Sequence, residues 1–219
     1  MNTHIRARGR IVALLALGIA IGATLATAAA LAAASGNPLR VTARQHVLVG
    51  RTVPVHGVLS PAQGGRAVLV QASRGSGWKT VARAKTDAHG RFETKWRPNQ
   101  ARHYGLRAVL AGVNGAGAAT TLGGGVTAYR PAAASWYGPG LMGGHLACGG
   151  TLDSSVVGVA NKSLPCGSRV KLRYRGRSVT ARVVDRGPYA AGREFDLTPA
   201  TRQRLGFGST GTVWASRVK

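Results

Sequence analysis

The chain is 219 residues long and carries a formal net charge of +24 with only six carboxylates. That length fits one large domain or two small ones once a targeting segment is set aside. In a cytosolic protein such a charge would point first to nucleic acid, but the amino terminus excludes that partner by pointing to export. Arg6, Arg8 and Arg10 precede an uncharged apolar run from Ile11 to about Ala34, and Ala32-Ala33-Ala34 before Ser35-Gly36 fits the small-x-small cleavage rule. Residues 1–34 are read as a signal peptide or, since the run is long enough to span a bilayer, as an uncleaved membrane anchor. The expected location is the cell wall or the extracellular space, with membrane contact only through this segment. Anionic wall polymers then become the natural partner of the positive charge. A GC-rich genome, which favours arginine, alanine and glycine codons, accounts for part of the same composition. Oligomeric state is not legible.

Residues 35–128 alternate apolar and polar side chains with a period of two. Val53, Val55, Gly57 and Leu59 share one face, Val68, Val70 and Ala72 another, and Phe92, Thr94 and Trp96 a third. Short strands at regular spacing with turn residues between them predict an antiparallel β-sandwich that resembles immunoglobulin-like modules. Asp87-Ala88-His89-Gly90 is expected to be a hairpin loop, and Pro54 is expected to place its strand at a sheet edge. Trp78, Trp96 and Tyr104 fit core aromatics or a sugar-stacking face. Residues 129–133 read as a short Pro/Ala linker, and residues 134–219 as a second domain.

Within that second domain strands are expected near 134–138, 156–160, 168–175, 178–185 and 211–217. One short helix starts with Thr198 as N-cap and Pro199 at its first position, and ends at Leu205-Gly206. Five segments stand out in order: Ala134-Ser135-Trp136-Tyr137-Gly138-Pro139-Gly140, Leu164-Pro165-Cys166-Gly167, Val184-Asp185-Arg186-Gly187-Pro188-Tyr189, Phe195-Asp196-Leu197-Thr198 and Leu205-Gly206. Together they resemble the rare lipoprotein A (RlpA) family. The resemblance implies an all-β chain ending in a six-stranded double-psi β-barrel with one short helix. It also implies action on peptidoglycan glycan strands as a lytic transglycosylase without a cofactor, or expansin-like binding without cutting.

Cleaving a glycoside needs an acid to protonate the departing oxygen. The second domain offers four carboxylates, Asp153, Asp185, Glu194 and Asp196, and one histidine, His145. Asp185 ends an apolar strand before a Gly-Pro turn, and related barrels carry an essential aspartate, so it is the catalytic candidate; the alternative is a carboxylate that braces the psi crossover. A lytic transglycosylase needs no second carboxylate to activate water, because the C6 hydroxyl of N-acetylmuramic acid is the nucleophile. The guanidinium groups of Arg186 and Arg182, if they approach Asp185, would favour its ionised form. Trp136, Tyr137, Asp153, Asn161, Arg186 and Tyr189 complete the expected substrate groove. The family's pattern carries a glutamate where this chain has Gly150 and a histidine where it has Asn161. Asp196 is expected to brace the start of the helix, and Glu194 to pair with an arginine. Cys148 and Cys166 are the only cysteines, which in an exported protein predicts a disulfide. A zinc site with His145 would have three ligands at an unusual spacing, and no metal is expected.

Overall fold

The computed structural model describes residues 38–73, 75, 77–112 and 118–218. The expected targeting segment lies outside the described residues. In chain order the strands are β1 (Leu39–Ala43), β2 (His46–Leu48), β3 (Val53–Leu59), β4 (Ala67–Ser73), β5 (Trp78–Lys85), β6 (Arg91–Trp96), β7 (His103–Tyr104), β8 (Leu106–Leu110), β9 (Ala119–Thr121), β10 (Val126–Trp136), β11 (Gly158–Ala160), β12 (Arg169–Tyr174), β13 (Arg177–Asp185), β14 (Phe195–Leu197) and β15 (Thr210–Val218), with helix α1 (Pro199–Leu205) before the last.

The first half is a sandwich of two antiparallel sheets, β1-β3-β6 and β5-β4-β8-β9. Its alternating residues turn inward as the sequence pattern requires: Leu39, Val53, Val55, Val68, Val70, Leu106 and Ala108 are all fully buried in one core. Two details differ from expectation. β3 is the central strand of its sheet, paired with β1 and β6, and Pro54 is tolerated because the β1 ladder reaches only as far as Val55. The Asp87–Gly90 turn joins strands of different sheets, so it carries the chain across the sandwich and closes no hairpin. Asp87 Oδ1 accepts the amides of His89 and Arg91 and holds that turn. Trp96 and Tyr104 are core residues in edge-to-face contact at 5.0 Å. Trp78 lies partly exposed under the Arg107 guanidinium.

β10 connects the halves. Its first residues pair with β2 and β7, and its later ones with β15 and β14. Residues 129–133 are therefore the middle of a continuous strand and not a linker, and Tyr129 in that stretch is fully buried. Beyond Tyr129 the strands close into a six-stranded barrel in the order β10-β15-β12-β13-β11-β14 and back to β10. The β10–β14 and β11–β13 pairs are parallel and the rest antiparallel. Val159, Leu172, Ala181, Val183, Phe195, Leu197, Leu205 and Val213 fill its core. Helix α1 begins and ends as expected, with Thr198 accepting the Thr201 amide and Gly206 in the left-handed conformation at φ 60°.

Candidate active site

The site is built by register. Asp185 on β13 is the partner of Ala160 on β11, Ala160 is the partner of Asp196 on β14, and Asp196 is the partner of Ser135 on β10. These four residues form one row across the outer wall of the barrel, with the smallest side chain between the two carboxylates. Strand spacing puts the Asp185 and Asp196 backbones about 10 Å apart. A register shift between Val159 and Ala160 makes Val184 the extra residue of β13. Without this bulge, alternation would send Asp185 to the same side as buried Val183; the bulge re-aims it toward the row. Gly158 permits the arrangement, because a Cβ there would lie 2.4 Å from the Val184 side chain.

Asp185 is oriented by backbone donors. The amides of Ala147 and Arg186 both donate to Oδ1, at 2.9 and 2.8 Å, so Oδ2 takes neither. Asp196 accepts the Ser135 hydroxyl at 2.8 Å. Burial holds its carboxyl above the ordinary aspartate range; the Ser135 hydrogen bond and Arg193 act against this, and the Asp185 charge adds to it. Asp196 therefore does not cap the helix, which Thr198 starts alone.

Tyr137 continues β10 past its end, its amide donating to Leu197 O, and by alternation it faces the same way as Ser135. Its hydroxyl is buried and has no hydrogen-bond partner in the protein. Burial, then the Asp185 and Asp196 carboxylates, push its ionisation above the ordinary tyrosine range. A phenolic O–H thus sits un-ionised beside two carboxylates, ready to donate to a group that is not part of the chain. We expect Tyr137→Phe to leave the melting temperature unchanged or slightly higher, since an unmade buried hydrogen bond costs about 1–3 kcal/mol. Thermal denaturation of the variant checks this expectation.

The other expected groove residues divide. Tyr189 is 82% exposed in the turn after Asp185 and offers an open ring face. Trp136 is half-buried and the Arg202 guanidinium covers one of its faces at 4.1 Å. Asn161 is 3% exposed. Its Nδ2 donates to Glu194 O, its Oδ1 accepts the Ser163 and Leu164 amides, and its own amide donates to Asp185 O. It staples the loop beside Asp185 and turns almost nothing toward solvent. Arg186 sends its guanidinium to Asn161 O, Leu164 O and Cys166 Sγ, away from the Asp185 carboxylate. Asp153 closes its own turn by accepting from the Ser155 hydroxyl and the Ser155 and Val156 amides, and these bonds lower its ionisation. Glu194 pairs with Arg130.

Cys148 and Cys166 form the expected disulfide, with 5.5 Å between their Cα atoms, and this ends the zinc reading. Gly150 sits at φ 82° with open space around it. His145 bridges Thr151 across the same turn. Sequence reasoning missed Asp196 as a site residue because β14 has only three residues and was not recognised as a strand. The buried–half-buried–buried order of Phe195, Asp196 and Leu197 is the signal that marks its face.

The family described as "Lytic transglycolase", a double-psi β-barrel, matches residues 131–215. Curated relatives share this part of the chain. The probable endolytic peptidoglycan transglycosylase RlpA of Synechocystis is 40% identical over 80 residues, 36% of this chain and 25% of the relative. The endolytic peptidoglycan transglycosylase RlpA of Pseudomonas aeruginosa is 42% identical over 95 residues, 42% of this chain and 27% of the relative. The protein of the same description from Neisseria meningitidis is 40% identical over 82 residues, 36% of this chain and 34% of the relative. The matches thus span between a quarter and about a third of each relative's length.

Proposed function

Since residues 131–215 belong to the RlpA-like double-psi β-barrel family, we propose that the protein is an exported peptidoglycan lytic transglycosylase whose acid/base is Asp185. The observation that carries this reading is the row Asp185–Ala160–Asp196 with the unpartnered Tyr137 hydroxyl beside it. Asp185 supplies the single acid/base that a glycoside cut without water needs, and the Tyr137 hydroxyl supplies a donor to the sugar beside it.

The glycan lies along the groove with a sugar ring on Tyr189. Asp185 Oδ2 gives a proton to the oxygen leaving C1 of N-acetylmuramic acid. The C6 hydroxyl of the same sugar attacks C1, and its proton passes to the Asp185 carboxylate. One C–O bond breaks, one forms, the catalyst recovers its proton, and a 1,6-anhydro end results. Asp196, the carboxyl that burial keeps neutral to a higher pH, limits the negative charge on the wall while the proton is in transit. Tyr137 donates to the sugar. Ordinary hydrolysis would instead engage the second carboxylate, either as base toward a water or as the nucleophile.

A second reading, a barrel that holds glycan without cutting it, is favoured by Gly150 and by Asn161, whose side chain is committed to the loop. Incubation of the protein with purified sacculi separates the two: cutting releases soluble fragments, binding alone retains the protein on the pellet.

The raised ionisation of Asp196 has a consequence for folding. A carboxyl whose pKa is higher in the folded than in the unfolded chain stabilises the fold below its unfolded value and loses that contribution as pH rises through the folded one. Asp196→Asn should therefore melt higher than the wild type at neutral pH, and the difference should shrink as pH falls through the folded-state value, the shrinkage being complete by about pH 4. Melting curves across that range check the sign; an advantage that grows in acid would contradict it.

A further inference from the structure

We propose that the waist of the molecule, where sandwich and barrel meet, is a second binding site that takes a linear phosphodiester polyanion. Two clefts lie there. One of about 760 Å³ is lined by Arg44, His46, Arg173, Arg175 and Trp214. The other, of about 910 Å³, is lined by Arg102, His103, Ser168, Arg169 and Arg217. β12 joins them: Arg169, Lys171 and Arg173 alternate with the buried Val170 and Leu172 and so share the barrel's outer face. Arg169 lines one cleft, Arg173 the other, and Lys171 stands between, at intervals of about 6.6 Å along the strand. The sandwich edge faces this ladder. Burial lowers the ionisation of both His46 and His103, and nearby charge adds to it, from Arg173 and then Lys171 at His46 and from Lys171 at His103.

Among the described residues, no Asp or Glu side chain lines either cleft. All six are placed elsewhere: Asp87 and Asp153 in their own turns, Glu93 near His56, Glu194 on Arg130, Asp185 and Asp196 in the groove. Gathering like charges at a junction opposes folding, so the arrangement favours a negatively charged ligand. The arginine-rich lining suits phosphate oxygens, which a guanidinium fork grips in pairs. Concave clefts on both sides of a cationic strand suit a chain that threads past, not a flat bilayer. The exposed large apolar side chains Val58, Trp78, Leu141, Met142 and Tyr189 all lie outside both linings. The Gly167–Ser168 lip of the larger cleft also belongs to the loop next to Asp185, through the Gly167 amide on Val183 O and the neighbouring disulfide. A polymer held at the waist would keep the groove close to wall carrying that polymer. The inference rests on the exported reading above only for the source of the polymer.

The test titrates the full-length protein with a poly(glycerol phosphate) oligomer at low and physiological salt. Replacing Arg102, Arg169 and Arg217 by glutamine should weaken binding at least about tenfold and flatten its salt dependence, because fewer counterions are released. Replacing the exposed Arg40, Arg51 and Arg91 by glutamine removes the same charge elsewhere and should change affinity less than about twofold. Equal losses in the two variants would reduce the effect to net charge and overturn the site. Binding confined to phosphatidylglycerol vesicles would also overturn it. Both variants should still release fragments from polymer-free sacculi. Loss of polymer binding and absence of glycan cleavage are thus read in separate assays, and either can fail without the other.

Discussion

Asp185→Asn is expected to remove glycan release from sacculi, by roughly the 10²–10⁴-fold that a positioned acid/base supplies, while the protein still folds and still sediments with the wall. The expectation of an intact fold comes from the geometry. The asparagine Oδ1 can accept the same Ala147 and Arg186 amides that Asp185 accepts now, so the loop keeps its anchor and only the transferable proton is lost. Asp185→Ala differs: it leaves the Ala147 and Arg186 N–H groups without this acceptor, at about 1–3 kcal/mol each if they stay dry. Circular dichroism, sacculus co-sedimentation and product release on both variants separate the roles. If the asparagine variant loses fold and binding along with activity, Asp185 is a structural carboxylate of the crossover.

Cys148→Ser should give the largest loss of stability. The bridge spans 18 residues, and closing a loop of that size stabilises by about 3 kcal/mol in the chain-entropy model, or roughly 6–12 °C of melting temperature for a domain of this size. The same loop carries the groove. The Cys148 amide donates to Val184 O, the adjacent Ala147 amide holds Asp185, and Arg186 reaches back to Cys166. Opening the bridge therefore loosens the donors that orient the Asp185 carboxylate, and on the proposed mechanism turnover should fall with stability. Reductant should bring the wild type down to the variant; equal melting of the two in oxidising buffer would contradict the account.

Much of this was legible in the sequence, for physical reasons. Period-two alternation marked β3, β4 and β6, since each buries one face. Thr198, Pro199 and Gly206 marked the helix because each satisfies a backbone demand that few residues meet. The cysteine pair and Asp185 at a strand end before Gly187-Pro188 were equally plain. What escaped depends on contacts between segments distant in the chain. β14 is too short for periodicity to register, and Asp196 became visible only through its register with Ala160 and Ser135. The 129–133 stretch looked like a linker because Pro131 and alanines carry little pattern, yet both halves of the molecule use it as one strand. Asn161 and Arg186 seemed to offer polar groups to a sugar; the fold commits them to loop carbonyls and amides first. The cationic waist could not be read at all, because its arginines come from segments more than a hundred residues apart, from Arg44 to Arg217.

The most direct test of the central claim is the chemistry of the new chain end. Purified sacculi, intact and stripped of stem peptides, would be incubated with the protein and the soluble fragments weighed by mass spectrometry. The account predicts 1,6-anhydro-muramyl ends in the wild-type reaction and none with Asp185→Asn. Fragments heavier by one water, with reducing ends, would show hydrolysis, and no fragments at all with protein bound to the pellet would show a barrel that binds glycan without cutting it. Either result contradicts the proposal that Asp185 drives an intramolecular transfer.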